Sequence, residues 1–431
     1  MTHPTCKTTF LSLSLLMSGS ALADITQEIE DAFNFYHYGN RGAIKADINY
    51  RWENVDQDKG GTPNPRTANA NTARFRLGAL SPKFYGIQGY AEFEGLWAMQ
   101  EDYNSTRNKN TTYSTIADPE KTELNQLWIS YAGIPDTLIK GGRQRIKLDD
   151  DRYIGNVGWR QLETTYDAIL LTHANQQLFG LTINAGYIGN VQTFTSTTEN
   201  IEAPILNINY KVGDYGNLVA YGYWLDYQDI NPGPAATRNL FLEKSNQTYG
   251  IRFNGASPKI MDTFNLLYTA EWANQRDYGH GPTKYETDRF NFMGGVKAFN
   301  VSVMGAWEQL NGFGANKTFD TPLGTNHAFQ GWADIFLVTP PNGIRDLFGT
   351  VMVEFPRYQT TVTGVYHDFS DDTGQMAYGK EWDFQVVKKF GKHYSLLAKY
   401  AYYNADTGGP VLPNGINTDT QKIWFQANVS F

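Results

Sequence analysis

Apolar and polar side chains alternate along stretch after stretch of this chain, the pattern of a β-strand whose two faces meet different surroundings. Near the start, Ile44, Ala46, Ile48, Tyr50 and Trp52 fall on one face, and Lys45, Asp47, Asn49, Arg51 and Glu53 on the other. The pattern returns at Phe179, Leu181, Ile183, Ala185 and Tyr187, and again at Phe264, Leu266, Tyr268, Ala270 and Trp272. At the far end Ile423, Phe425, Ala427, Val429 and Phe431 alternate with Trp424, Gln426, Asn428 and Ser430. A water-soluble sheet can show such a stretch once. Its recurrence, closing on a carboxy-terminal Phe431, predicts an all-β fold, a transmembrane antiparallel β-barrel of the outer-membrane type.

The connections give an independent count. Long gaps fall at 54–71, 99–122, 148–165, 190–203, 228–246, 274–287, 309–345, 370–380 and 405–420. Short ones fall between them, at 81–85, 132–136, 175–178, 213–216, 256–261, 299–300, 356–358 and 391–394. Outer-membrane barrels have long outer loops and short periplasmic turns, so strict alternation of the two lengths is expected. It holds only if 332–338, which could pass for a strand, belongs to one folded outer loop over 309–345. Nine long loops and eight turns make about 18 strands, with both ends in the periplasm.

Composition agrees. Aromatic residues make up 14% of the chain, with 27 Tyr, 25 Phe and 10 Trp, yet charged residues are only 19%. Mean hydropathy is nevertheless polar, at −0.47. A barrel reconciles these values, because lipid-facing residues alternate with lumen-facing polar ones and aromatics form girdles at the interfaces. The formal net charge of −8 gives no reason to expect a nucleic-acid partner.

Residues 1–23 read as a signal peptide for export: Lys7, an apolar run over 10–17, then Ala21-Leu22-Ala23 before the expected cleavage. Cys6, the one cysteine, precedes that run, so no disulfide or Cys-ligated metal is expected after cleavage. Residues 24–42 form a short periplasmic segment, too small for the plug of an energised receptor, and 43–431 a single barrel. The expected location is the outer membrane of a Gram-negative bacterium, with passive transport and no cofactor. Phe431 would serve as the signal to the barrel assembly machinery. The unbroken outward apolar alternation suits a monomer in outer-membrane lipid.

Selectivity in a pore is set by the charges lining its narrow part. Alternation points Arg74 and Arg76 into the lumen from the second strand, and Arg143, Arg145 and Lys147 from the fifth. So many cations on one wall need carboxylates or a passing anion. Glu92 and Glu94 on the third strand are candidate partners, as are Asp149, Asp150 and Asp151. A charge ladder that only stiffens the wall is the competing reading, and the two are compatible, since a partly neutralised Arg row still offers a track for carboxylates. The loops 148–165 and 309–345 hold Ile154, Trp159, Trp332, Ile335, Phe336 and Leu337, which need burial, most simply inside the barrel. Arg152, Arg160 and Arg345 would then join the constriction.

These two segments also carry a resemblance. The run from Gly142 through Arg143, Arg145, Arg152, Trp159 and Arg160 to Gln161 (GRQRIKLDDDRYIGNVGWRQ) resembles the core of the alginate export family of outer-membrane porins. His327 to Asp334 (HAFQGWAD), followed by Thr339 to Gly343 (TPPNG), is similar to another segment of it. The resemblance implies an 18-stranded barrel passing an anionic polysaccharide or oligosaccharide, alginate or another polyuronate, through an arginine-rich constriction. By motif position it assigns Arg143, Arg145, Arg152 and Arg160 to the substrate path. The turns here are short, so an obstructing periplasmic loop of the kind exporters carry has no counterpart.

Rival readings are thinner. A general or neutral-sugar porin would need an aromatic slide, and alternation directs only Tyr221, Tyr223 and Trp424 inward. An outer-membrane hydrolase could use His393 and Ser395, but these lie beside a periplasmic turn, away from substrate outside the cell. His367-Asp368 with Asp371-Asp372 fits a protease only loosely, and His280 reads as a turn residue. The chain is read as a non-enzyme. Asp149–Asp151 lacks the spaced ligands of a calcium loop, so pairing with neighbouring Arg is expected instead of a metal.

Overall fold

The computed structural model describes residues 42–58, 64–175, 180–228, 235–314, 317–406 and 415–431; the expected leader and the segment to residue 41 lie outside them. Strand β1 (Ala43–Asp58) is followed by β2 (Ala68–Leu80), β3 (Ile87–Asp102), β4 (Lys121–Tyr131), β5 (Thr137–Gln144) and β6 (Thr165–Asn175). Next come β7 (Leu181–Gln192), β8 (Thr198–Val212), β9 (Gly216–Tyr227), the short helix α1 (Ala235–Leu242), β10 (Asn246–Ala256), β11 (Phe264–Asp277) and β12 (Glu286–Ala298). The remaining strands are β13 (Val301–Leu310), β14 (Ile344–Phe355), β15 (Thr360–Ser370), β16 (Ala377–Phe390), β17 (Tyr394–Ala405) and β18 (Asp419–Ser430). Each pairs antiparallel with its sequence neighbours, and β1 pairs with β18, so the 18 strands close into a barrel with no free edge. At the seam, Ala46 and Phe431 exchange backbone hydrogen bonds of 3.0 and 2.8 Å.

Closure lets wall carbonyls and amides pair between neighbouring strands all the way round, which is what a bilayer demands of a spanning sheet. The alternation then sorts side chains by solvent. On β1, Ile44, Ile48 and Tyr50 are exposed, whereas Lys45, Asp47, Asn49, Arg51 and Glu53 are buried inside. Among the described residues no helix is long and apolar enough to cross a membrane.

The strand count agrees with the sequence reading, but the strands run taller than expected and the strict alternation of connection lengths does not hold throughout, 193–197 being no longer than the gap 176–180. Of the gap 190–203 only 193–197 remains outside β7 and β8, and of 370–380 only 371–376 outside β15 and β16. Above the lipid band both faces of a hairpin meet polar surroundings, so the apolar rhythm fades while the backbone ladder continues. The stretch 332–338 contains no strand and lies in the 311–343 connection.

Two orientations differ from the sequence reading. Arg143 does not face the lumen. In register it stands opposite Leu127 and Asp167, on the outward face that carries Leu127 (53% exposed) and Ile169 (57%), and it forms a two-pronged ion pair with Asp167 at 2.8 and 2.9 Å. Strand β5 ends one residue later, so Arg143, Arg145 and Lys147 share no strand face. Gly142 lies within this continuous register at φ +119°, its backbone so close to the Leu127 carbonyl that a Cβ would sit 2.4 Å from that oxygen. Arg345 likewise points outward. It falls on the face of β14 that carries exposed Leu347, and its Nε donates to Ser370 Oγ at 3.1 Å. The sequence places it at the end of the 309–345 gap, where alternation gives no direction.

Candidate functional site

Three long connections pack against the inward faces of the wall: L2 (103–120), L3 (145–164) and L7 (311–343). L3 turns its apolar side, Ile146, Leu148, Tyr153 and Ile154, against the inward Ile188, Val191, Ile201, Ile205 and Val219 of β7 to β9. L7 places Phe336 against Phe369, Tyr378 and Tyr403, with ring centroids at 4.6, 5.9 and 5.7 Å. Burial of these side chains, ~1.5–3 kcal/mol each, is what draws the loops inward instead of leaving them at the mouth. The loops also bind each other. Gly155 N donates to Leu323 O at 2.9 Å, Thr325 N to Asp151 O at 2.9 Å, and Tyr166 Oη to Gly155 O at 2.6 Å.

At the centre Trp159 of L3 stacks on His327 of L7, rings 4.2 Å apart and 3° from parallel. His327 Nδ1 lies 2.6 Å from Asp334 Oδ1, and its Nε2 lies 2.7 Å from Lys399 Nζ. Burial, with Lys399 beside it, holds the imidazole well below its ordinary range against the pull of Asp334. A neutral ring with the proton on Nδ1 satisfies both neighbours: it donates to the carboxylate and accepts from the ammonium. Burial works to raise the Asp334 carboxyl, but His327, Lys422 and Arg160 together hold it well below the usual carboxylate range. Lys422 Nζ and Arg160 Nη2 reach its Oδ2 at 2.8 and 3.3 Å.

The arginines expected in the path are mostly inside and mostly mated. Arg74 pairs with Asp47 and donates to the Gln161 carbonyl at 3.2 Å. Arg76 Nε donates to Glu94 at 2.8 Å, whereas Glu92 instead accepts from Tyr90, Asn125 and Gln126. Arg145 grips Glu163 of its own loop, Nε to Oε2 at 2.7 Å, and Lys147 pairs with Asp151 at 3.4 Å. Arg152 lies 3.6 Å from Glu308, its guanidinium 4.4 Å from the Phe329 ring centroid. Arg160 meets Glu53 at 3.2 Å and Asp118 of L2 at 3.5 Å. The acidic triplet is split: Asp149 and Asp150 hold Arg252 at 3.4 and 2.6 Å, while Asp151 serves Lys147. Among the described residues no group of His, Cys, Asp or Glu is arranged to hold a metal ion.

Wall carboxylates pin L7 from the other side. Glu381 Oε1 accepts from Ala333 N at 2.6 Å, and Asp383 Oδ2 from Trp332 N at 3.2 Å. Gly331, at φ +82°, lets the chain pass directly over Glu381. Between this part of L7 and the strands β12 to β15 remains a recess lined by Asp150, Asn291, Met293, Gln330, Asp346, Phe348 and His367. Its cavity of about 40 Å³ holds a few waters, at ~10–15 Å³ each.

Several partners escaped the sequence reading. Asp47, Lys399 and Lys422 lie on inward faces that alternation does define. Asp118, Glu163, His327 and Asp334 sit in loops with no period to point them. The aromatic slide does not form: Tyr221 and Tyr223 face inward but lie beneath Tyr153 of L3, at 4.9 and 5.8 Å between ring centroids. His393 turns to the Ser430 carbonyl at 2.7 Å and stacks on Phe431. His367 sits deep in the barrel between Asp346 and Asp383, at 3.0 and 3.6 Å, well inside the rim.

One pH effect follows from Asp149. Burial pushes its carboxyl up to about 6, with Arg252 pulling the other way. The folded state therefore holds this proton more tightly than the unfolded chain. Its ionisation costs stability progressively as pH rises from about 4 to about 6, and no further above that. Acidification from about pH 7.5 to about pH 5 removes this negative charge beside Arg252. Reversal potentials in a KCl gradient are expected to shift toward anion preference over that interval, and Asp149→Asn to flatten the step. A wild-type profile without the step would refute the assignment.

Comparison with known proteins fits this geometry. The family described as "Alginate export" matches residues 43–311. Among solved structures, the Occ/Opd outer-membrane porins are similar. OccK9 (OpdG) of Pseudomonas aeruginosa superposes with a TM-score of 0.68 at 14% identity, covering 91% of this chain and 100% of that one. OccAB2 of Acinetobacter baumannii gives 0.67 at 16%, covering 91% and 99%. OpdK of Pseudomonas aeruginosa, solved with vanillate, gives 0.63 at 12%, covering 90% and 98%. At such identities the likeness is one of fold. No significant match is found among curated proteins.

Proposed function

The chain belongs to the alginate export family, and on that premise we propose a pore that passes carboxylated saccharides, short polyuronates above all, by facilitated diffusion. Family and barrel together make it an outer-membrane pore. The substrate class is our own reading. The observation that carries it is a set of guanidinium donors at the constriction left without an acceptor. Arg74 Nε and Arg152 Nε are buried and have no hydrogen-bond partner among the described residues. A loop movement that uncovers these donors would offer them to an acceptor-bearing visitor, and planar guanidinium suits carboxylate. Their existing carboxylate partners temper the attraction, which is needed if a solute is to leave as well as enter. The few-water recess beside L7 is too small for a sugar ring.

Single-channel current in a planar bilayer tests the reading, with oligomannuronate added first and then a neutral glucose oligomer of matched length. Reversible block by the uronate alone is expected. Arg145→Ala and Arg152→Ala should shorten it, and Arg143→Ala, which alters only the outward face, should leave it intact. Equal block by both sugars, or cation preference with no block, would leave the pore and remove the polyuronate.

A further inference from the structure

The inner wall of β7 to β10 differs from the rest of the lumen. Where the constriction mates guanidinium with carboxylate, the periplasmic half of this sector presents amides. Asn184 stands directly opposite Asn207, and Asn217 directly opposite Asn254. Asn209, two residues beyond Asn207 on the same face, faces Val219 and so lies diagonal to Asn217. All five lie on the inward faces defined by buried Ile188, Ile205, Val219 and Arg252. Lys211, the next inward residue of β8, is paired in register with Asn217.

The upper amides are committed. Asn207 Nδ2 donates to Asp149 Oδ2 at 2.7 Å and to Tyr223 Oη at 3.1 Å, and Asn184 Oδ1 accepts from Thr172 at 2.8 Å. The lower ones are not. Among the described residues Asn209 and Asn217 make no side-chain hydrogen bond and Lys211 no ion pair, and Asn254 Oδ1 is buried without a donor. Asn209, Lys211 and Asn217 line an open groove of about 630 Å³ at the periplasmic rim, with Thr182 and Asp214 at its edges. That volume falls within the ~300–1,000 Å³ of small-molecule sites.

We propose that Asn209, Asn217 and Lys211 form a uronate-binding subsite at the periplasmic mouth, the amides taking ring hydroxyls and the ammonium the carboxylate. The assignment rests on the carboxylated-saccharide reading and adds where the sugar is held outside the constriction. A primary amide presents one acceptor and two donors, which matches vicinal hydroxyls that each donate and accept. The pairing of neutral amides with one cation selects a ring bearing many hydroxyls and one negative charge. A simple aromatic carboxylate would engage Lys211 and leave both amides unused. The site is weak by construction, since Lys211 stands at a wet rim where salt screens it, and weak sites are what a conducting pathway needs.

The test is block of single-channel current by a mannuronate trimer added from the periplasmic side, with a glucose trimer as the neutral probe. The variants are Asn209→Leu/Asn217→Leu and, separately, Lys211→Met, their folding checked by heat-modifiable gel mobility. In the double variant, residence of the uronate should fall about three- to tenfold for each amide lost. In Lys211→Met, residence of the uronate alone should fall. Unchanged uronate residence in both variants, with wild-type block intact, would overturn the subsite and leave the polyuronate pore standing. Wild-type block by glucose alone, relieved in the double variant, would keep an amide sugar site and overturn its uronate assignment together with the proposed function. No block of the wild type by either trimer would overturn both.

Discussion

Excising residues 326–338 and joining 325 to 339 through a short Gly-Ser linker is expected to raise the single-channel conductance several-fold while leaving the barrel folded. The excised stretch carries His327, Trp332, Asp334 and Phe336, the side chains that fill the lumen between L3 and the wall of β15 to β18. What remains is held independently. Strands β13 and β14 pair with each other from Val301 opposite Val353 to Leu310 opposite Ile344. Leu323 and Thr325 keep their backbone bonds to L3. A shortened connection alters closure entropy only slightly, ~0.6 kcal/mol for each doubling of loop length. The ring contacts of Phe336 and Trp332 are lost, but they hold the loop to the wall and not the wall to itself. Conductance in symmetric KCl and heat-modifiable migration are the two readouts. A folded variant with unchanged conductance would place the limiting constriction elsewhere and remove L7 as the gate.

The barrel was legible because its physics is periodic. A lipid band on one side and a polar lumen on the other impose period two, and a bilayer with two unlike sides imposes unequal connections. Together these give strand number and closure without any knowledge of which strand touches which. The same rule failed where a local departure resets it. Strand β5 ends at Gln144, where Arg145 leaves the sheet for L3 and grips Glu163. Counting by twos from Arg145 back to Arg143 crosses that departure and puts Arg143 on the wrong face.

The constriction was legible only in outline. Apolar residues in two loops forced the inference that something must bury Trp159 and Trp332, and both are buried. Their partners come from loops that meet far from sequence proximity: Trp159 with His327, Arg160 with Asp334. Charge pairing there depends on which loop lies across which, and no spacing encodes that. The sequence also suggests an electropositive lane, since it displays the arginines together. Folding brings a carboxylate to three of them from another element: Asp47 from β1 to Arg74, Glu308 from β13 to Arg152, Glu53 from β1 to Arg160.

Asp334→Asn should release L7 nearly as effectively as excising it, though by a different route. The carboxylate is the one negative group that ties His327, Lys422 and Arg160 together, and it is 5% exposed. Asparagine keeps the shape and removes the charge, leaving Lys422 inside with its carboxylate partner gone and Arg160 with only Glu53 and Asp118. Breaking a buried pair in this way costs ~3–5 kcal/mol, because a desolvated charge is left uncompensated. The cost falls on L7 docking, so the expected readouts are frequent current flicker and a lower temperature for loss of heat-modifiable mobility. Lys422→Met added to Asp334→Asn should recover much of the loss, since the stranded ammonium goes with it. Glu286→Gln at the exposed Arg276 pair should do nothing measurable. Mild acid should not imitate the variant. The Asp334 carboxyl is held well below its ordinary range, so its contribution is complete at neutral pH and is lost only as pH falls through that depressed value. Flicker that appears at about pH 5 in the wild type and is no greater in Asp334→Asn would mean that L7 is held by its aromatic contacts and that the charge cluster merely accompanies them.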